Sequence, residues 1–368
     1  MKLTCSQKNL KFALDIVSLA VNNSSTLPVL NNILLKASNK KLFLSATNLE
    51  IAINYSIAAD VKNEGSITVP AKLIANYVSL LQDGEVELKV DGNYTLQVKS
   101  AKSNTKIKGI TPDEFPLIPT VEKDLAFSVS AKSFADGVNN TVFSAAIGGS
   151  RPILSGVYLV GEKDQLTFVA TDSFRLAEKK ISLAQKLEQN IECVIPVRTM
   201  LELAHILNDC DEKEELSITI SKNQVLFAVN GIELISRLIE GKYPDYKQII
   251  PRSHKTKLEV SVDDLTIATK RVSLFAKENN NSIKLSATND GTLQIATDET
   301  TIGEEKADVM VKIEGEDNKI AINSHYLLDV LGHLKENVAI EMSEKLTPVV
   351  VRPLKGEDYL YIIMPLKV

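Results

Sequence analysis

The sequence has no run of about 18 apolar residues, so no segment of it can cross a membrane as a helix. Its first residues, Met1-Lys2-Leu3-Thr4-Cys5-Ser6-Gln7-Lys8, turn polar at once and lack the apolar core of a signal peptide, which predicts a cytoplasmic protein with no membrane partner. The cysteines are only three, Cys5, Cys193 and Cys210, an odd number without close spacing. That pattern argues against a disulfide framework and for reduced thiols serving as small core residues. Four histidines, His205, His254, His325 and His333, show no metal-ligand spacing, so no metal site is expected. Also missing are a phosphate-cradling Gly-x-x-x-x-Gly-Lys loop, a dinucleotide glycine fingerprint, His-Glu-x-x-His and Gly-x-Ser-x-Gly. No cofactor is expected, and nothing argues for an enzyme. Positive charge is short too: the net charge is −5, which on its face disfavours nucleic acid. A sum says nothing about placement, however, and an acidic exterior can coexist with a basic inner surface.

What is present is ordinary globular composition, 44% hydrophobic and 24% charged residues in a chain of 368, enough for two or three cores. It is also repetitive. Ala170-Thr171-Asp172-Ser173-Phe174-Arg175-Leu176-Ala177 closes the apolar run Leu166-Thr167-Phe168-Val169. Near-copies of it occur at Ala46-Thr47-Asn48-Leu49 and Ala296-Thr297-Asp298-Glu299. The three threonines stand 124 and 126 residues apart (47 to 171, 171 to 297). Pro28 and Pro152 stand 124 residues apart, Pro70 and Pro196 126, and Pro196 and Asn323 127. One domain is written three times, over residues 1–120, 125–251 and 252–368. The first two repeats close at Phe115-Pro116-Leu117-Ile118-Pro119 and Tyr243-Pro244-Asp245-Tyr246, with the polar stretch Thr120 to Asp124 linking the first to the second.

Within the first repeat a strand at Lys2-Leu3-Thr4 precedes a helical stripe of Leu10, Ala13, Leu14, Val17 and Val21, widened by Phe12, Ile16 and Leu19. Alternating strands follow, then a helix opening at Pro70-Ala71-Lys72 with Leu73, Ile74, Tyr77, Leu80 and Leu81 as its apolar face. Strands are expected near 85–90, 94–99, 104–109 and 115–118. The second repeat places helices at Ala131 to Ala145 and from Val197, and the third at 262–276 and 324–335, the last capped by Asn323-Ser324. Each repeat is thus about eight strands and two helices, an α+β arrangement with helices packed on antiparallel sheets.

Charge adds two features. Lys72, Arg198 and His325 fall at equivalent first-turn positions, and Thr266, Lys270, Ser273 and Lys277 form a polar stripe. Repeated six times on one side, such helices would make a modestly basic floor for phosphates without sequence readout, although Asp15, Asp136 and Asp329 dilute it. Lys99, Lys102, Lys106 and Lys108 sit on late strands of the first repeat, while Glu299, Glu304, Glu305 and Asp308 sit in the third. If both are exposed sheet edges, their opposite charges suit head-to-tail pairing into a closed ring. The same charges also suit ordinary solvated strands. Asp172 beside Ser173 would serve a hydrolase only with a nearby histidine that the repeat does not supply, and a turn after a strand is the simpler reading.

Across its whole length the chain resembles the bacterial sliding clamps, the β subunit of the replicative DNA polymerase. The resemblance rests on the threefold period and on Ala170 to Ala177, Gly241-Lys242-Tyr243-Pro244-Asp245-Tyr246 and the ending Tyr361-Ile362-Ile363-Met364-Pro365-Leu366-Lys367-Val368. It implies three clamp domains, a head-to-tail homodimer forming a six-domain ring, and double-stranded DNA encircled without base readout. Twelve helices would line the hole, and the ring would confer processivity without catalysis. It implies a groove for short peptides of the replicative polymerase and clamp-loader subunits, made by Leu154, Thr171, Ser173, Phe174, Arg175, Leu176, Pro244, Ile249, Val350, Ile363, Met364, Pro365 and Leu366, with Arg175 at its rim. It implies that Leu274 and Phe275 pack across the dimer interface, beside the charges of Lys102, Lys106, Glu304 and Glu305. Ser173-Phe174 replaces the family's usual Gly-His pair, Ser24-Ser25 stands where a DNA-contacting arginine is common, and Pro152-Ile153 replaces aromatics. The DNA-facing candidates are then Lys72, Arg151, Arg198 and Lys270.

Overall fold

A computed structural model describes residues 1–22, 27–122, 125–148 and 151–367. Ser24, Ser25 and Thr26, the end of the expected linker at Lys123 and Asp124, and the final Val368 lie outside the described residues.

The first repeat runs β1 (Lys2–Ser6), α1 (Gln7–Ser18), β2 (Asn32–Ser38), β3 (Lys41–Thr47), β4 (Ile51–Ala58), β5 (Asp60–Asn63), β6 (Gly65–Pro70), α2 (Ala71–Ser79), β7 (Glu85–Asp91), β8 (Thr95–Ser100) and β9 (Ser103–Lys108). The second runs β10 (Leu125–Ser130), α3 (Ala131–Asn139), β11 (Gly156–Glu162), β12 (Gln165–Thr171), β13 (Arg175–Ser182), β14 (Ile191–Pro196), α4 (Val197–Leu207), β15 (Glu215–Ile220), β16 (Gln224–Val229) and β17 (Ile232–Arg237). The third runs β18 (Thr256–Val260), α5 (Val262–Ala276), β19 (Ser282–Thr288), β20 (Thr292–Ala296), β21 (Lys306–Met310), β22 (Lys312–Gly315), β23 (Asn318–Asn323), α6 (Ser324–Leu331), β24 (Val338–Met342), β25 (Val349–Pro353) and β26 (Tyr359–Ile363).

Two compact units divide the chain, and they cut across the repeats. Met1–Lys132 with Glu202–Leu238 holds a five-stranded sheet, β5-β1-β7-β8-β9, and an eight-stranded sheet, β10-β15-β16-β17-β4-β3-β2-β6. Ser133–Leu201 with Ile239–Val368 holds a nine-stranded sheet, β14-β11-β12-β13-β26-β25-β24-β18-β22, and a four-stranded sheet, β21-β20-β19-β23. Every ladder is antiparallel. In each unit the larger sheet is continuous across a repeat boundary, through β17 on β4 in one and β26 on β13 in the other. The two joints match residue for residue: Arg237 N donates to Glu50 O at 3.0 Å, and Met364 N donates to Phe174 O at 2.8 Å.

The helices follow the expected periodicity. α1 buries Leu10, Ala13, Leu14, Ile16 and Val17 and packs on α2, β3 and β4. α5 buries Leu265, Ala268, Val272 and Ala276; its first turn is capped by Ser261 Oγ and carries Asp263 and Asp264, which suit the positive end of the helix dipole. Asn323 caps α6, its side chain accepting from His325 N at 2.9 Å.

Six expectations need correction. The helix from Ala131 stops at Asn139, where Thr141 Oγ1 turns back to donate to Gly137 O at 2.8 Å and satisfies a terminal carbonyl. The helix from Ser324 stops at Leu331, with Gly332 as its C-cap. Residues 115–118 form no strand: Pro116 has no amide to donate, and Phe115 instead packs on Val29 and Leu30. The buried face of α2 is Ala71, Ile74 and Val78, so Leu73 and Leu80 point to water; in α1, Phe12 is exposed and lies edge-on to Tyr55 at 5.8 Å. Ser273 leaves the expected polar stripe of α5, being buried and 3.1 Å from Ser324 Oγ.

Candidate partner-binding site

The turn from Thr171 to Arg175 is built by its own side chains. Thr171 Oγ1 donates to Arg175 O at 2.6 Å and accepts from Ser173 N at 3.1 Å. Asp172 Oδ1 accepts from the amides of Phe174 and Arg175 at 2.9 and 3.0 Å. Those bonds fold the chain so tightly that Ser173 takes φ 80°, a left-handed conformation that a serine adopts at a cost. The first repeat has the same turn. Thr47 Oγ1 donates to Ile51 O, Asn48 Oδ1 accepts from the amides of Glu50 and Ile51, and Leu49 sits at φ 77°. The third repeat departs from it: Thr297 Oγ1 accepts from Glu305 N across a longer loop.

Phe174 projects from the second turn, 59% exposed. Arg175 does not stand at the rim as expected; it is buried, at 9% exposure. Its Nε donates to Asp172 Oδ2 at 3.1 Å, Nη1 to Asp329 Oδ2, and Nη2 to Phe143 O at 2.7 Å, and the guanidinium lies 4.8 Å over the Tyr326 ring. It is a structural staple between the turn, α6 and the segment after α3. Asp329, first read as diluting a basic helix face, is therefore engaged by Arg175, and Asp136 is likewise 3.2 Å from Lys179.

Beside the turn, Leu154, Leu176 and Val350 come together in one apolar cluster with Val169, Tyr243, Tyr246 and Ile362. Ile363 belongs to the opposite face of β26, buried with Tyr359 and Tyr361 against the α5 and α6 core. The strand alternates, so Ile362, not Ile363, is on the side of Leu154, Leu176 and Val350. Met364, Pro365 and Leu366 continue past the strand, half-exposed, and Leu366 N donates to Ala321 O at 2.8 Å. Pro244 and Ile249 are exposed on the loop around Tyr246. That loop is anchored by the Tyr246 hydroxyl, which donates to Glu178 Oε2 at 2.6 Å and is held protonated well above the tyrosine range, by burial first and then by the carboxylate. Asp172 commits its oxygens to the turn and to Arg175.

The remaining candidates are scattered. Lys72 and Arg198 are each the second residue of their helices, α2 and α4, and Lys270 is exposed on α5. Arg151 instead lies by the turn, its Nη1 3.5 Å from Ser173 Oγ. Lys102 and Lys106 are exposed, Lys102 in the β8–β9 turn and Lys106 on β9, an edge strand; Glu304 and Glu305 precede β21, also an edge. Within the chain Glu304 lies 3.2 Å from Lys306 and Glu305 3.8 Å from Arg271. Leu274 is 61% exposed on α5, and Phe275 packs by Gly303. Among the described residues no group of three or more His, Cys, Asp or Glu side chains is placed to hold a metal, and no helix is long and apolar enough to cross a membrane.

Comparison with known proteins gives the family. Sequence models of the DNA polymerase III beta subunit match in order: the N-terminal domain over residues 1–119, the central domain over 128–245 and the C-terminal domain over 247–367. A beta sliding clamp of Synechocystis is 32% identical, covering 100% of this chain and 99% of its own length. That of Staphylococcus epidermidis is 32% identical over 95% of this chain and 94% of its own. Among solved structures, the DNA polymerase sliding clamp of Bacillus subtilis superposes with a TM-score of 0.95 at 30% identity, covering 100% of this chain and 99% of that one. The sliding clamp of Pseudomonas aeruginosa, solved bound to griselimycin, superposes with a TM-score of 0.95 at 27% identity over 100% of both chains. The chain belongs to the DNA polymerase III beta-subunit family, the DNA sliding clamps.

Proposed function

We propose that two copies of this chain close head to tail into a ring of six repeats around duplex DNA, and that the ring tethers a replicative polymerase and clamp-loader subunits without catalysing a reaction. One observation carries this reading. Two repeat boundaries are bridged by the same strand pair, β17 on β4 and β26 on β13, while the third such pair, β9 and β21, consists of two open edges. Edges of this kind invite pairing. The five-stranded sheet ending in β9 and the four-stranded sheet ending in β21 would together have the nine strands of the sheet that joins the second and third repeats. Since β9 and β21 belong to opposite ends of the chain, pairing between copies is head to tail, and the proposed ring is the case in which it closes after two.

Lys72 and Arg198, each second in its helix, together with Lys270 and with Arg151 by the Ser173 turn, supply few and dispersed positive groups toward phosphate. Weak, sequence-blind contacts let a ring slide, whereas tight ones would stall it. Partners dock as short peptides on Phe174, Leu154, Leu176, Val350, Ile362 and Met364, and the griselimycin-bound relative supports a small-ligand groove in this fold. The protein acts in the cytoplasm and needs no cofactor.

Sedimentation is expected to give twice 40.4 kDa. After loading, the protein is expected to stay on nicked circular DNA and to run off the same DNA once linearised. A monomer, or equal loss from both forms, sinks the ring.

A further inference from the structure

Past the strand end at Ile363, the chain crosses beside β23, the edge of the four-stranded sheet, where Leu366 N bonds to Ala321 O. There it helps to line a cavity of about 610 Å³, whose wall includes Lys284, Lys319, Lys345 and Lys367 and, among the described residues, no carboxylate. Its apolar surface comes from Leu366, Ala321 and Leu346, the last 65% exposed on the turn before β25. Lys284 is held by Asp298; Lys319, Lys345 and Lys367 are exposed. In a chain of net charge −5, four lysines around one cavity are a local reversal of sign. Their mutual repulsion is relieved by an anion, and a cleft lined by one sign concentrates the field on it. Phosphate alone would use the lysines and leave the leucines in water. An apolar side chain flanked by carboxylates uses both.

We infer that this cavity extends the partner groove and selects peptides in which Asp or Glu flanks an apolar anchor, the anchor seated on Leu346 and Leu366 and the carboxylates held by Lys319, Lys345 and Lys367. The inference rests on the reading of the Phe174 groove as a peptide site; Met364, whose amide bonds to Phe174 O, lies two residues before Leu366 in the cavity wall. It gives partner choice a charge rule that the apolar groove alone does not contain.

The test is to pan a random heptapeptide display library on the full-length protein and measure the recovered peptides against wild type, K319E/K345E and F174A. Both lysines are exposed, so the double variant is expected to keep its melting temperature. The expected result is recovered sequences rich in Asp and Glu around an apolar residue, bound roughly tenfold more weakly by K319E/K345E, with affinity falling as salt rises. Recovered peptides that lose binding in F174A, show no acidic bias and bind K319E/K345E unchanged overturn the inference and leave the groove standing. A short DNA duplex that displaces the acidic peptides, and itself loses binding in K319E/K345E, overturns it in favour of a nucleic-acid contact. Recovery of no peptide sensitive to F174A overturns the groove reading and this inference with it.

Discussion

The amide of Met364 donates to the carbonyl oxygen of Phe174 at 2.8 Å, tying the Thr171–Arg175 turn to the segment that follows the last strand. The bond is backbone to backbone, so the Phe174 side chain is free of structural duty and 59% exposed. F174A is therefore expected to leave stability within about 0.5 kcal/mol of wild type, as surface changes do. Peptide binding at the groove proposed above should weaken by roughly 1–3 kcal/mol, the loss of an aromatic anchor. Calorimetric titration showing unchanged affinity would remove Phe174 from the site.

Arg175 is expected to matter for stability rather than for contact with partners. Replacing it with alanine abandons Asp172 and the Phe143 carbonyl at once, which should cost roughly 3 kcal/mol, the low end for breaking a buried pair, since Asp329 is half in water and can rehydrate. Lysine cannot reach three acceptors with one ammonium, so R175K should recover only part of that loss. Urea unfolding of both variants decides it, and an R175A midpoint equal to wild type would contradict the staple.

Ser173 holds φ 80°, where glycine carries no side-chain penalty. Relief of about 1–2 kcal/mol is offset by about 0.5–1 kcal/mol of extra chain entropy in the unfolded state, so S173G should be neutral to about 1.5 kcal/mol more stable. S173A gains nothing and loses the hydroxyl beside Arg151. Thermal melts that rank alanine above glycine would show that the turn is unstrained.

Much of this was legible in the chain, and the failures have physical causes. The turns at Thr47 and Thr171 were readable because their chemistry is local: the threonine and the Asx residue after it bond to backbone groups within four positions, whereas Thr297 keeps the interval but bonds eight positions on. Ile362 and Ile363 could not be told apart because both faces of β26 are buried, which erases alternation. The partners of Arg175 were hidden because Asp329 lies 154 positions away and Phe143 contributes a backbone oxygen. Leu73 and Leu80 misled because an exposed leucine reads like a buried one in a periodic pattern.

Alkaline pH should destabilise the fold through its thiols. Burial pushes Cys5 and Cys193 from 9.0 up to about 12, so between those values the folded state holds protons that the unfolded state has released. Stability from this source is whole below pH 9.0 and is lost as pH rises toward about 12. Melting temperatures from about pH 8 to about pH 11 should fall more steeply for wild type than for C5A/C193A. Parallel curves would mean that the thiols contribute nothing to the slope.

The open edges make the last prediction. Leu274 is 61% exposed in the single chain, so L274A/F275A should halve the mass in solution, each truncation costing roughly 2–5 kcal/mol if buried between copies. The charges are a weaker handle, because exposed pairs contribute only about 0–1 kcal/mol each. K102E/K106E should shift the monomer–dimer equilibrium, and E304K/E305K should restore it only in part. Glu304 and Glu305 already lie by Lys306 and Arg271 of their own chain, and their reversal sets like charges side by side. Sedimentation equilibrium over a concentration series reads both effects. If L274A/F275A stays fully dimeric, the interface lies elsewhere than β9 and β21.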